Sequence, residues 1–356
     1  LKRLLARHDE IPESLVHALF YPEAIFTLGA LLHREGALIE GFKSFGDAAT
    51  KHVERAASTG ATIYHYRAGF GGKSVDAAKR LGVITLCDHS IAHPVVLESL
   101  VQNAGKHIAS SEGMKITRFN EYILQDIERA DAILVNSDFV KDTFIEIGST
   151  RIPVHVIYWG VDDAFLDGVP DRTNQQGQSR ILFAGFFQRR KGADTLVNAL
   201  ACLGNKPWQL EIAGSIEDGF RDIYPAFFAD ARVKFLGLLS RHELAKTMSQ
   251  NEIFVFPSLA EGSARVVFEA MACGCYIITT PNSGSIVEDK VHGRLVPAGD
   301  HEALAVAIDE ALSNPDRVAD IGRRNAELIR ENYRQSQYGG KLAALYSELL
   351  ADRSVD

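Results

Sequence analysis

Cysteine is scarce in this chain of 356 residues: four, at Cys87, Cys202, Cys273 and Cys275, too few and too scattered for a disulfide framework or a structural zinc site. They read as small buried apolar residues in a reducing compartment. An excess of positive charge is missing as well. The formal net charge is −8, with 17 basic and 22 acidic side chains in residues 1–170 and 21 and 24 in the remainder, so neither half is built for nucleic acid. No apolar run reaches the ~18 residues of a membrane span, and no charged, apolar, small-residue leader opens the chain, which makes the cytoplasm the expected address. The opening Leu1-Lys-Arg-Leu-Leu-Ala-Arg7 has the character of a basic amphipathic turn. Residues 1–90 nevertheless hold 11 basic and 10 acidic side chains, so charge lends little support to a peripheral membrane contact. Repeats and low-complexity tracts are absent, and no strand followed by a glycine-rich turn precedes Glu13.

What the chain does have is alternation. Short β-branched and aromatic runs, Ala61–Tyr66, Val83–Cys87, Ala132–Asn136, Val154–Tyr158, Arg180–Ala184, Gln209–Ala213, Val233–Leu236, Ile253–Phe256 and Tyr276–Thr280, are separated by helical patterns. That order predicts parallel sheets assembled from βαβ units, hence an α/β fold. The polar, turn-prone interval Asp167–Ser179 splits the strands into two groups. The expected domains are residues 1–170, residues 171–335, and a last helical stretch over 336–356.

One segment carries most of the chemistry. In Phe254-Val-Phe-Pro-Ser-Leu-Ala-Glu261-Gly262-Ser263-Ala264-Arg265-Val-Val-Phe-Glu269-Ala-Met-Ala-Cys273-Gly274, an apolar strand leads through a tight turn into a small-residue helix with a carboxylate near each end. A helix starting near Ser263 puts both carboxylates on one side of its first turns, with free backbone amides between them. Helix N-terminal amides attract a diphosphate, and carboxylates accept hydrogen bonds from polyol hydroxyls. A nucleotide-sugar has those parts in that order.

The segment resembles the E-x7-E signature of retaining GT-B glycosyltransferases of family four, the glycosyl transferases group 1. Further stretches resemble the family in order: Glu128-Arg-Ala-Asp131-Ala-Ile-Leu-Val-Asn-Ser137, Val156-Ile-Tyr-Trp-Gly160-Val-Asp162, Arg180-Ile-Leu-Phe-Ala-Gly185 with Arg189-Arg190-Lys191-Gly192, Phe235-Leu-Gly237, and Thr280-Pro-Asn-Ser-Gly284-Ser285. The likeness covers about residues 60 to 350. It implies two Rossmann-like domains facing across a cleft, an acceptor-side domain lacking its first strand, a donor domain, and a C-terminal helix crossing back onto the first domain. Two departures stand out. Phe186 follows Gly185 where the family usually has Arg, and Glu261-Gly-Ser-Ala replaces the common Glu-Gly-Phe-Gly.

The expected roles follow. Lys191, on a strand-to-helix loop beside Gly185 and Gly192, sets its ammonium on the diphosphate as charge builds on the leaving oxygen. Arg189 and Arg190 share that task, assisted by Arg265. Glu261, with the amides of Gly262, Ser263 and Ala264, receives the hydroxyls of the transferred sugar, and Glu269 those of the ribose. His89 resembles the family's histidine near the anomeric centre. His89 and His93, four apart beside Asp88, also have a metal-ligand look, but Pro94 interrupts any helix through both and a third ligand is missing. No Asp-x-Asp stands where a GT-A enzyme holds its cation, so the expectation is metal-independent transfer with no cofactor. The resulting expectation is a hexosyltransferase using a UDP- or GDP-sugar and a glycan or lipid-linked acceptor, in polysaccharide or glycolipid synthesis. Two alternatives remain. Gly69-Phe-Gly71-Gly72-Lys73-Ser74 has part of a phosphate loop, though Arg67 stands where its first Gly belongs. Phe186 motivates a glycosyltransferase-like binding protein without catalysis.

Overall fold

In the computed structural model, residues 19–31, 34–103, 116–148, 151–172 and 180–353 are described. The basic opening Leu1–Arg7 and most of the interval before Ser179 lie outside them. From the amino end the elements are α1 (Phe20–Leu31), α2 (Glu35–Ser58), β1 (Ile63–Arg67), α3 (Gly72–Arg80), β2 (Ile84–His89), α4 (Pro94–Gln102), α5 (Arg118–Glu128), β3 (Ala132–Val135), α6 (Asp138–Glu146), β4 (Val154–Val156) and α7 (Asp163–Asp167). There follow β5 (Arg180–Ala184), α8 (Ala193–Cys202), β6 (Gln209–Ala213), α9 (Phe220–Ile223), α10 (Pro225–Phe228), β7 (Val233–Gly237), α11 (Arg241–Ser249) and β8 (Ile253–Phe256). The chain then continues through α12 (Arg265–Ala272), β9 (Tyr276–Thr279), β10 (Gly293–Leu295), α13 (His301–Leu312), α14 (Pro315–Asn332) and α15 (Ser336–Arg353). Strands β1 to β4 belong to a four-stranded sheet and β5 to β10 to a six-stranded one, the two parallel sheets that the alternation predicts. Two compact units result, one of residues 1–87 and 117–130, the other of 88–116 and 131–356.

The first unit is built on aromatic contacts and glycines. Phe42 of α2 meets Phe26 of α1 and Phe70 edge-on, with ring centres 5.1 and 4.4 Å away. The approach of α2 to the loop after β1 is so close that a Cβ on Gly46 would lie 2.6 Å from the Gly71 carbonyl oxygen. In that loop Gly69 adopts φ +93°, open to glycine at no steric cost. Its amides do not await a phosphate. The fully buried carboxylate of Asp126 accepts from the N–H groups of Gly69 (3.0 Å), Gly71 (2.8 Å) and Gly72 (3.0 Å), and Arg129 closes the pair at 2.5 Å. A protein carboxylate already fills the nest of amides that a phosphate loop would offer, so the kinase-like alternative loses its site.

In the second unit the six strands run in the order β10-β9-β8-β5-β6-β7, all parallel. The inner strands are buried throughout, which is why Phe254–Phe256 and Tyr276–Thr279 read as continuous apolar runs. From β5 the chain winds outward through β6 to β7, then returns to place β8 on the other side of β5. The order therefore reverses between β5 and β8, and the loops after these two strands lie side by side at a topological switch point. Strand β3 pairs in parallel with β4, Ile133 opposite Val154. Short strand β10, spelled Gly-Arg-Leu, carries too little β-pattern to be read from sequence. Cys87, Cys273 and Cys275 are buried, but Cys202, expected inside, is exposed at the last turn of α8.

Arg172 binds three helix-end and loop carbonyls, those of Ser249, Asn251 and Gly274. Further on, Val161 donates to Tyr333 O at 2.8 Å and accepts from Gln335 N–H at 2.8 Å. Asp163 takes Arg334 Nε at 2.6 Å and the Ser336 amide at 2.9 Å. Gly160, at φ +73°, has no room for a side chain, because a Cβ would lie 2.5 Å from Tyr333 O. On α15 the half-buried phenol of Tyr338 is pushed up to about 12, first by desolvation and then by the charge of Asp88.

Candidate active site

The loop leaving β5 and the loop leaving β8 are pressed together. Gly192, in the left-handed region at φ +75°, ends a short turn over Arg189–Lys191, and a Cβ there would collide with Pro257 O. Leu259 N–H and the Ser258 hydroxyl both donate to Arg190 O, at 2.9 and 3.1 Å. Side chains from the two loops converge on Glu261. Its Oε1 accepts from Arg190 Nη1 at 2.9 Å, lies 3.2 Å from Lys191 Nζ and 3.4 Å from Ser258 Oγ. Arg190 also donates to Ala260 O at 2.6 Å, and Lys191 Nζ sits 5.1 Å from the centre of the Phe256 ring. The Glu261 and Lys191 side chains are only 15% and 19% exposed, so the ion cluster is sheltered. Two cations facing one carboxylate leave a local charge of +1, which suits an anionic ligand. Among the described residues Glu261 Oε2 has no partner.

Arg189 does not join this cluster. Its Nε lies 3.6 Å from Asp194 Oδ2 with the side chain 67% exposed, so of the two arginines expected to share a role only Arg190 meets Glu261. Phe186 is 40% exposed.

The turn after β8 is held by residues that follow β9. Glu261 N–H donates to Asn282 O and Ala264 N–H to Ser283 O, both at 2.9 Å. The Ala264 amide is therefore spent within the fold, contrary to its expected place beside the ligand. Helix α12 starts at Arg265 rather than near Ser263, because the Ala264 backbone (ψ 87°) has not yet turned helical. Glu261 thus stands on the turn and Glu269 in the second helical turn. Among the described residues the amides of Gly262 and Ser263 have no acceptor.

Glu269 is buried at its side chain (12% exposed), with Arg241 Nη2 at 3.5 Å. Burial pushes its carboxyl above the usual glutamate range, Arg241 and Arg265 pull it back, and Asp162 opposes them. Arg241 was not singled out in the sequence; it stands at the start of α11, which Ser240 and Glu243 close with a capping box, and nothing local points it at Glu269.

His89, at the end of β2, is buried with its ring edge-on to Phe144 and Nε2 3.3 Å from Ala92 O. The next residue meets the turn directly: a Cβ on Gly262 would collide with Ser90 O. Asn136 Nδ2 donates to Ser90 O at 3.2 Å, and Ser137 Oγ to Gly262 O at 2.5 Å. Neither was picked out as a site residue from sequence, where Asn136 ends the strand run Ala132–Asn136 and Ser137 the family-like stretch from Glu128. His93 instead caps α4, its Nδ1 accepting from Val95 N–H at 3.3 Å, and burial together with nearby His89 lowers it to about 4. Among the described residues no group of three potential ligands is gathered for a metal ion, and no helix is long and apolar enough to cross a membrane.

Residues 170–328 match the family model of the glycosyl transferases group 1. The chain is 26% identical over 285 residues to the lipopolysaccharide core biosynthesis mannosyltransferase LpcC of Rhizobium leguminosarum bv. viciae, covering 74% of this chain and 77% of that protein. It is 28% identical over 204 residues to the D-inositol 3-phosphate glycosyltransferase of Mycobacterium ulcerans, 53% of this chain but only 44% of that one. Among solved structures, sucrose-phosphate synthase from Thermosynechococcus elongatus superposes with a TM-score of 0.69 at 23% identity, over 88% of this chain and 79% of its own. Anabaena Alr3699/HepE in complex with UDP gives 0.62 at 19%, over 84% and 82%. These neighbours have the GT-B fold.

Proposed function

Because residues 170–328 match the group 1 glycosyl transferases, we propose that the chain is one of them and moves a hexose from a UDP- or GDP-sugar to an acceptor hydroxyl, with retention at the anomeric carbon and without a metal. The observation that carries this reading is the sheltered cluster of Arg190, Lys191 and Glu261 at the β5/β8 switch point, beside two amides that have no acceptor among the described residues. A diphosphate needs fixed positive charge and N–H donors, and both are gathered there. Glu261 Oε2 accepts hydroxyls of the transferred sugar, and Glu269 accepts the ribose hydroxyls. Burial of Glu269 makes such bonds stronger than they would be in water.

As the glycosyl bond stretches, charge accumulates on the departing phosphate oxygen. Lys191 and Arg190 balance it, and the departing oxygen takes the acceptor proton on the same face. His89 borders the anomeric centre through its backbone, next to Ser90 and Gly262. Arg190 supplies the guanidinium that the resemblance expects after Gly185, which favours catalysis over a binding-only protein despite Phe186. The lipopolysaccharide core enzyme among the relatives supports a glycan or lipid-linked acceptor, hence a cytoplasmic enzyme in peripheral contact with the membrane.

The test is a panel of UDP- and GDP-sugars, with ATP as control and with and without EDTA, read by melting temperature and by product anomer. A donor that raises the melting temperature and is transferred with retention in EDTA supports the reading. Binding without turnover favours the non-catalytic alternative. No stabilisation by any sugar nucleotide would overturn it.

A further inference from the structure

Ser137 follows β3 and, if the Glu261 turn holds the donor as proposed above, lies behind the donor site. Ser137 is wholly buried, and its hydroxyl donates to Gly262 O at 2.5 Å while accepting from Val140 N–H at 3.2 Å. A capping serine needs only the second bond. The first reaches 125 positions along the chain to a glycine carbonyl on the turn that carries Glu261.

A trans peptide holds the carbonyl of one residue and the N–H of the next in one rigid plane, pointing in opposite directions. Whatever holds Gly262 O therefore aims Ser263 N–H. A peptide that follows glycine is the easiest in a chain to rotate, since no side chain resists it. Here the rotation is blocked at three places. Ser137 grips the carbonyl. Gly284, at φ +60°, lies so close that a Cβ on it would strike the same oxygen. The following amide, that of Ala264, is tied to Ser283 O at 2.9 Å. The half-buried Ser263 presents its N–H with no acceptor among the described residues. With the plane reversed, a carbonyl lone pair would face a diphosphate.

We infer that Ser137 is a positioning residue for the transfer: its hydroxyl fixes the Gly262–Ser263 peptide so that Ser263 N–H points at the oxygen that gains charge as the sugar leaves. Ser137 touches no substrate itself. A donor aimed at developing charge lowers the barrier more than it strengthens ground-state binding.

The experiment uses the full chain with its sugar nucleotide and acceptor, and compares Ser137→Gly, Ser137→Ala and Ser137→Thr. Glycine is nearly as good an N-cap as serine and alanine is not, so the first two variants lose the same bond to Gly262 but differ in helix capping. Both should lose about 10- to 100-fold in kcat, with donor KM within about threefold of the parent, as for a weakened oxyanion donor. Ser137→Thr, which keeps the hydroxyl, should turn over close to the parent rate. If Ser137→Ala does not fold, the glycine and threonine variants decide alone. An unchanged kcat in Ser137→Gly, losses that follow melting temperature, or a threonine variant as slow as the glycine one would overturn the inference. Lys191→Ala, run alongside, separates the two layers. Should it also keep full activity, the donor-site reading fails; should it alone lose activity, only the role of Ser137 fails.

Discussion

Replacing Asp126 offers a stringent check on the first unit. Its carboxylate satisfies three glycine amides and the Arg129 guanidinium from a position with no solvent access. Removing it leaves three donors around a buried void, each worth ~1–3 kcal/mol when unpaired, while the Arg129 guanidinium, its side chain 35% exposed, keeps Asp76 at 3.2 Å. The effects are not additive, and breaking a buried charged pair typically costs ~3–5 kcal/mol, so about 4 kcal/mol is expected for Asp126→Ala. Asp126→Asn keeps one oxygen but turns an NH2 toward donors, and should cost about half as much. Arg129→Ala should cost only about 1 kcal/mol, because the carboxylate keeps its three amides and the arginine is partly in water. With an m-value near 2 kcal/mol/M, the alanine variant would unfold at ~2 M less urea. Circular dichroism gives the transition. Hydrogen exchange at Gly69, Gly71 and Gly72 shows whether the loss is local, which matters in a chain of two units. A loss below about 1 kcal/mol for Asp126→Ala, or a larger one for Arg129→Ala, would refute the reasoning.

Lys191→Ala should raise the barrier by ~2–4 kcal/mol while Arg189→Ala, whose guanidinium faces Asp194, changes kcat less than about threefold; steady-state kinetics tells them apart. Lys290 holds φ +65°, so Lys290→Gly should stabilise the fold by about 0.5–1 kcal/mol in urea titration, and a loss would show that its side chain contributes more than the strain costs. Because Glu269 has a folded pKa above its ordinary value of 4.5, its contribution to stability is full below the unfolded pKa and declines as pH rises through the folded one. Donor affinity runs the opposite way, weakening as pH falls through that raised value; Arg241→Gln should move this limb to higher pH and Glu269→Gln should abolish it in binding titrations. His93 is lowered to about 4 from 6.5, so stability should fall as pH drops across that window, and a melting-temperature profile of His93→Asn, which preserves the cap, should lack that limb.

Periodicity made the sheets legible. Arg180–Ala184, Gln209–Ala213 and Ile253–Phe256 coincide with β5, β6 and β8: the buried strands β5 and β8 spell out apolar runs, and β6 alternates around Glu211. The strand order was not written there, so neither was the adjacency of β5 and β8 that brings Lys191 to Glu261. Lys191, Arg190, Glu261 and Glu269, picked out by side-chain type, lie beside opposite charges. What depended on distant partners was not legible. Asp126 looks like any helix acid until it is found under the loop at Gly69, and Ser137 like any cap until it is found against Gly262. Ala264 failed as a donor for the same reason, its acceptor Ser283 lying on another loop.

The pairing of Val161 with Tyr333 and Gln335 bears on the order in which the protein can mature on the ribosome. Synthesis runs from the amino end, so the backbone groups of Val161 and the carboxylate of Asp163 must wait for more than a hundred and fifty further residues before their partners exist. During that interval water has to serve them. The six-stranded sheet and its core can be complete by then, since β10 precedes Tyr333 in the chain. Closure of this seam is therefore a late event, and a release that stops short of Gln335 would leave a folded sheet with an open clasp.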